Sequence, residues 1–129
     1  MHQVFTLAIP MEYTITNNRN SPVWLRQKVK AHLAALTRDA ADAAQLHPMG
    51  SATVFVGITK RTRGKYDPQN LGDTFKPVVD ELVKLGVLDA DDHTHVMGPW
   101  CYHKGTNKAL PDRTMAATLT LAPYSPVPF

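Results

Sequence analysis

The sequence predicts an α/β domain of the α+β kind, a small mixed sheet carrying two helices in the order β-α-β-α-β-β. Three observations lead there. Two short stretches alternate between apolar and small residues, at Phe5, Leu7 and Ile9 and at Met115, Ala117, Leu119 and Leu121, as strands with one buried face do. Two longer stretches repeat apolar residues at helical spacing, and each opens with a capping residue followed by proline (Ser21-Pro22 and Asp67-Pro68). With 129 residues the chain suffices for one core and not for two, so residues 1–129 read as a single domain without repeats.

Taken in order, Val4 to Ile9 is a strand that Pro10 ends, and Glu12 to Asn20 is irregular, its polar run from Thr16 fitting a surface loop. Ser21 as N-cap and Pro22 in the first turn start a helix whose Leu25, Val29, Leu33, Leu36, Ala40 and Ala43 share helical spacing. It should end before His47-Pro48, because a residue preceding proline avoids the helical region. After a turn at Met49-Gly50-Ser51, Thr53 to Thr59 is so continuously apolar that a central strand is expected. Gly64 lets the chain turn, and Asp67-Pro68 opens the second helix. Its stripe is Leu71, Phe75, Val78, Leu82 and Leu85, widened by Val79 and Val83, with Gly86 as the stop. His95 to His103 reads as a strand that Gly98-Pro99 kinks or confines to an edge. Lys104 to Lys108 is a turn, Thr114 to Leu121 the last strand, and the tail APYSPVPF extended.

Composition narrows the function classes. Hydrophobic residues at 43% and charged residues at 19% are ordinary for a soluble globular protein, and no apolar run approaches the roughly 20 residues that span a bilayer. The start MHQVFTLAIP lacks a charged region and a small-residue cleavage site, so it reads as mature protein. One cysteine, Cys101, cannot close an intramolecular disulfide, which fits the cytoplasm. A net charge of +3 and a pI near 9.1 are compatible with a nucleic-acid partner.

The residues able to do chemistry concentrate between Lys60 and Gly98. Lys60, Arg61, Arg63 and Lys65 form a basic cluster suited to phosphates, although a charge run is also what a solvated strand end looks like. Asp67 follows it, and Asp89, Asp91 and Asp92 lie beyond the second helix. Carboxylates that converge attract a hard cation such as Mg²⁺, which can activate water and neutralise charge on a phosphate. Alone, Asp67 reads more readily as a helix cap and the later aspartates as a solvated turn. Lys76, off the apolar stripe, is placed to stabilise developing negative charge, or merely faces solvent. His93, His95, Cys101 and His103 form a second constellation, but their spacing matches no established zinc pattern.

Together these residues resemble the RusA family of Holliday junction resolvases, many encoded by phages and prophages. The family's signature is D-x-D-N, a helix with a lysine and D-x-L, a glycine, then a paired D-D. Here it reads Asp67-Pro68-Gln69-Asn70, Lys76, Asp80-Glu81-Leu82, Gly86 and Asp91-Asp92. Asn17-Asn18-Arg19 is similar to the family's N-N-R segment, after a first strand that ends in proline. The resemblance implies a RusA-like fold and a homodimer in the cytoplasm of a bacterial or phage-infected cell. It implies Mg²⁺-dependent nicking of four-way DNA junctions, a two-fold substrate met by a two-fold protein.

Carried over residue by residue, Asp67 is the first metal carboxylate, Asp91 or Asp92 the distal one with Asp92 favoured, and Lys76 the catalytic lysine. Asn18, Arg19, Lys60, Arg61, Arg63, Lys65 and Asn70 are the expected DNA contacts. Gln69 stands where the second carboxylate belongs, offering amide oxygen without charge, and the spacing to Lys76 is longer, with Asp73 inside it. A catalytically weak or inactive junction-binding protein of the same fold is the alternative reading. The second helix's stripe and the tail from Pro123 to Phe129 offer more apolar surface than a small sheet needs, in keeping with a dimer.

Overall fold

The computed structural model describes residues 2–14 and 21–126. Asn18 and Arg19, expected to reach DNA, lie outside the described residues with Asn17 of the same segment, as do residues 127–129 of the tail. Along the chain come β1 (Gln3–Pro10), α1 (Val23–Ala43), β2 (Ala52–Lys60), α2 (Gly72–Lys84), β3 (Val96–Thr106) and β4 (Thr114–Ala122), with 3₁₀ turns at Met11–Tyr13 and Pro68–Leu71. The strands form one sheet in the order β1-β4-β2-β3. β4 runs antiparallel to both β1 and β2, while β2 and β3 are parallel. The parallel pair requires a crossover, and α2 supplies it.

Both helices cover one face of this sheet. Phe5, Leu7 and Ile9 of β1, Val54, Val56 and Ile58 of β2, and Met115, Ala117, Leu119 and Leu121 of β4 are buried there. Their period of two follows from the strand's alternation. α2 seals the layer with Phe75, Val78, Val79 and Leu82, and burying a side chain such as Phe75 contributes about 1.5–3 kcal/mol. The stripe is therefore spent inside the chain's own core and is no spare surface for a partner. Val4, Phe55, Trp100 and Tyr102 stand exposed on the uncovered sheet face, and Val23 and Trp24 are exposed in the first turn of α1.

Several boundaries differ from the sequence expectation for identifiable reasons. Pro22, not Ser21, occupies the N-cap of α1, and no side chain caps that end. α1 stops at Ala43 because Gln45 turns left-handed at φ 53°, and Leu46 N–H closes back onto the Ala41 carbonyl at 3.1 Å. Asp67 caps the 3₁₀ turn that precedes α2 and not α2 itself. Leu85 is 43% exposed, since the helix ends there and Gly86 at φ 80° reverses the chain so that Val87 and Leu88 enter the core. β3 lies at a sheet edge with a register shift opposite Gly98-Pro99. It continues through Lys104, expected in a turn, because Gly105 and Thr106 still pair with Thr59 and Lys60. No helix among the described residues is long and apolar enough to cross a membrane.

Candidate functional site

α2 presents its polar face opposite the buried stripe. Asp73, Lys76 and Asp80 follow at i, i+3 and i+7, so all three side chains leave on one side of the helix. With Pro77 they line a groove of about 290 Å³ whose other wall is Arg26 and Lys30 of α1. Lys76 Nζ stands 3.8 Å from Asp73 Oδ1, a solvent-exposed pair that contributes little stability and leaves the lysine available.

The turn after α2 adds a further carboxylate. The carboxyls of Asp91 and Asp80 act on one another, so two acidic groups interact one helical turn from Lys76. Burial first, then hydrogen bonding with Asp80 and the Asp80 charge, push Asp91 above the usual carboxylate range. Lys76 pulls the other way, and Asp92 adds a further upward push. Asp92 itself faces a different task. Its Oδ1 accepts the Thr94 hydroxyl at 2.5 Å and the Thr94 N–H at 2.9 Å, and lies 2.8 Å from His95 Nδ1. These contacts, the Thr94 hydroxyl foremost, hold it well below the usual range. Lys76 therefore acts on Asp91, while Asp92 fastens the turn that precedes β3.

Asp67 takes its place elsewhere. Its Oδ1 accepts the Gln69 N–H at 3.0 Å and its carbonyl the Asn70 N–H at 3.1 Å. It follows the C-terminal end of β2, whereas Asp91 and Asp92 precede the N-terminal start of β3. Because β2 and β3 are parallel, those are opposite ends of the pair. The charges acting on Asp91 are those of Asp80, Lys76 and Asp92. Among the described residues no three His, Cys, Asp or Glu side chains converge as metal ligands, so Asp67, Asp91 and Asp92 make no shared cage. The histidine and cysteine set stays dispersed too. Cys101 is buried with its thiol pushed up to about 11, His95 sits against Asp92, and His103 against Tyr66.

What the donor set does fit is Mg²⁺ held by few protein ligands. That ion binds through one or two carboxylates and fills its octahedron with water and phosphate oxygens. Asp80 and Asp91, two like charges that act on one another, are such a pair, and a divalent cation between them would relieve their repulsion. Asp80 was not among the expected site residues, although it stands four positions after Lys76, the spacing that makes helix neighbours.

The basic cluster forms a separate surface at the far end of β2. Lys60 Nζ lies 4.6 Å from the centroid of the Tyr66 ring, and burial lowers its pKa. Arg61 Nε donates to the Leu110 carbonyl at 3.1 Å, with Asp112 at 3.9 Å. Arg63 and Lys65 are exposed and line a cavity of about 540 Å³ together with Thr62, Gly64, Tyr66, Pro68, His103 and Thr106. No family model matches the chain, and no curated protein matches it.

Proposed function

We propose that the protein is a Mg²⁺-dependent endonuclease acting on branched DNA, with four-way junctions as its substrate, working as a homodimer. The observation that carries the reading is a groove lined by Asp73, Lys76 and Asp80 whose opposite wall is cationic, with Asp91 close enough to Asp80 and Lys76 to feel both charges. Arg26 and Lys30 draw a phosphodiester into the groove, and the basic cluster around Arg61 and Arg63 grips flanking phosphates. Asp80 and Asp91 would hold the ion, which supplies a water of lowered pKa and a countercharge for the phosphate. Lys76 meets the negative charge that grows on the phosphate oxygens as the bond to the leaving oxygen breaks. Asp92, by tying down Thr94 and His95, keeps Asp91 aimed at the helix. Asp67 and Gln69 shape the chain's entry into α2.

A junction has two strands to cut and a two-fold axis, so two copies related by a two-fold place one groove on each strand. Light scattering at micromolar concentration should then give twice the 14.3 kDa chain mass. The deciding experiment incubates purified protein with a synthetic four-way junction with and without Mg²⁺. Paired nicks that need the ion support the reading. Tight binding without cutting, at any Mg²⁺ concentration, selects the alternative of a junction-binding protein, and neither binding nor cutting removes both.

A further inference from the structure

The cavity beside the basic cluster holds a feature that the nuclease reading leaves unused. Tyr66 and His103 come from a loop and from the exposed C-terminal half of β3, yet the Tyr66 hydroxyl lies 2.6 Å from His103 Nδ1, and the rings meet edge to face at 5.5 Å. Both line the cavity of about 540 Å³ with Arg63, Lys65, Thr62 and Thr106, and no carboxylate is among its lining residues. A neighbouring cavity of about 300 Å³ shares Thr62, Arg63 and Thr106 and adds Arg61 and Lys108, again without a carboxylate. Arg61 has Asp112 at 3.9 Å, but the three hydroxyls, His103, Arg63 and Lys65 of the larger cavity have no acid among its lining residues, and such a donor set suits an anion. Phosphate oxygens suit it, because charged donors supply attraction while hydroxyls and imidazole supply direction.

We propose that this cavity is a phosphate subsite, with Arg63 and Lys65 as the charge and His103, oriented by Tyr66, as the directional donor. Resting on the nucleic-acid reading above, its natural occupant is a phosphate of a DNA strand, and the adjoining cavity with Arg61 and Lys108 takes the next one along. The subsite lies at the C-terminal end of β2 and β3, away from the Asp80–Asp91 groove, so it positions a strand and does not cut it. His103 thereby has a role that neither zinc binding nor the metal groove assigns.

The test titrates the full chain with pyrophosphate and follows the histidine ring protons by NMR, the His103 signal being the one missing from His103→Gln. Pyrophosphate should move that signal, and His103→Gln and Tyr66→Phe should each weaken pyrophosphate binding roughly tenfold with unchanged far-UV circular dichroism. Single strands with and without a 5′-phosphate separate the two sources. A preference for the phosphorylated strand marks a terminal phosphate as the occupant, and equal binding marks an internal phosphodiester. An unmoved His103 signal, or variants that lose thermal stability while binding pyrophosphate as wild type, overturns the subsite. Pyrophosphate binding without junction binding keeps the subsite and removes the nucleic-acid reading. Junction binding indifferent to both variants does the reverse.

Discussion

The groove on α2 and the trough at the end of β2 both collect charge, but they are built in opposite ways. In the groove, Asp73, Lys76 and Asp80 are fixed by helical spacing, and anion and cation face each other across a few ångströms. The trough gathers Arg61, Arg63, Lys65 and His103 from a loop and a strand end, with no carboxylate lining its cavities. A rigid array of mixed sign suits chemistry, since reacting groups must be held in place. An array in which cations predominate suits the capture of a polyanion, for which summed charge matters more than exact geometry.

If that contrast is right, the groove should depend on the packing of α2 far more than the trough does. Phe75→Ala, which empties a wholly buried position under the helix, should cost about 3–5 kcal/mol in urea unfolding. A loss under about 1 kcal/mol would mean that α2 is not anchored as described.

The next largest effect is chemical. Asp91→Asn should lower junction cleavage roughly 10²–10³-fold while binding survives, and Asp80→Asn should match it, since each removes half of the carboxylate pair. Asp67→Asn should cost less than either, because its carboxylate serves a turn and not the groove. Were Asp67→Asn to abolish cutting while Asp91→Asn cut normally, the pair would be misassigned.

The trough answers to salt instead. Arg61→Ala with Arg63→Ala should weaken junction binding about tenfold at low salt and flatten the dependence of log K on log salt by about two phosphate contacts. Cleavage at saturating protein should be unchanged. A double variant that binds with the wild-type slope would take the trough out of DNA recognition.

The smallest effect concerns the hinge between helix and acidic turn. Gly86 sits at φ 80°, where a Cβ meets no neighbour but the backbone itself is strained, so Gly86→Ala should cost about 1 kcal/mol by thermal unfolding. Its effect should fall on the groove and leave salt-dependent binding alone.

Much of this fold is written in local pattern. The alternation at Phe5, Leu7 and Ile9 and the stripe from Leu71 to Leu82 fix which faces are buried, because side-chain direction along a strand or helix is set by backbone geometry alone. The α+β class, the central place of β2 and the edge place of β3 follow from the same signals, the last from a proline that cannot donate to a ladder. Local pattern failed at the end of α2. Leu85 has the spacing of a core residue, yet the left-handed Gly86 hands its place to Val87 and Leu88.

The candidate site divides along the same line. The sequence by itself determined that Lys76 and Asp80 share a helix face, since four residues make one turn. It also determined that cations cluster before Asp67 and carboxylates after Gly86. Only the tertiary structure decided which carboxylates meet. Asp91 and Asp92 are adjacent in the chain and chemically alike, but the Thr94 and His95 contacts claim one, and the other feels the charge of Asp80. Asp67 is separated from them by the direction of β3, which runs parallel to β2 and so starts at the end that Asp67 has left. Tyr66 and His103 stand 37 positions apart and meet only because β3 pairs beside β2. Strand direction and pairing are long-range choices, made by the whole core, and no window of sequence contains them.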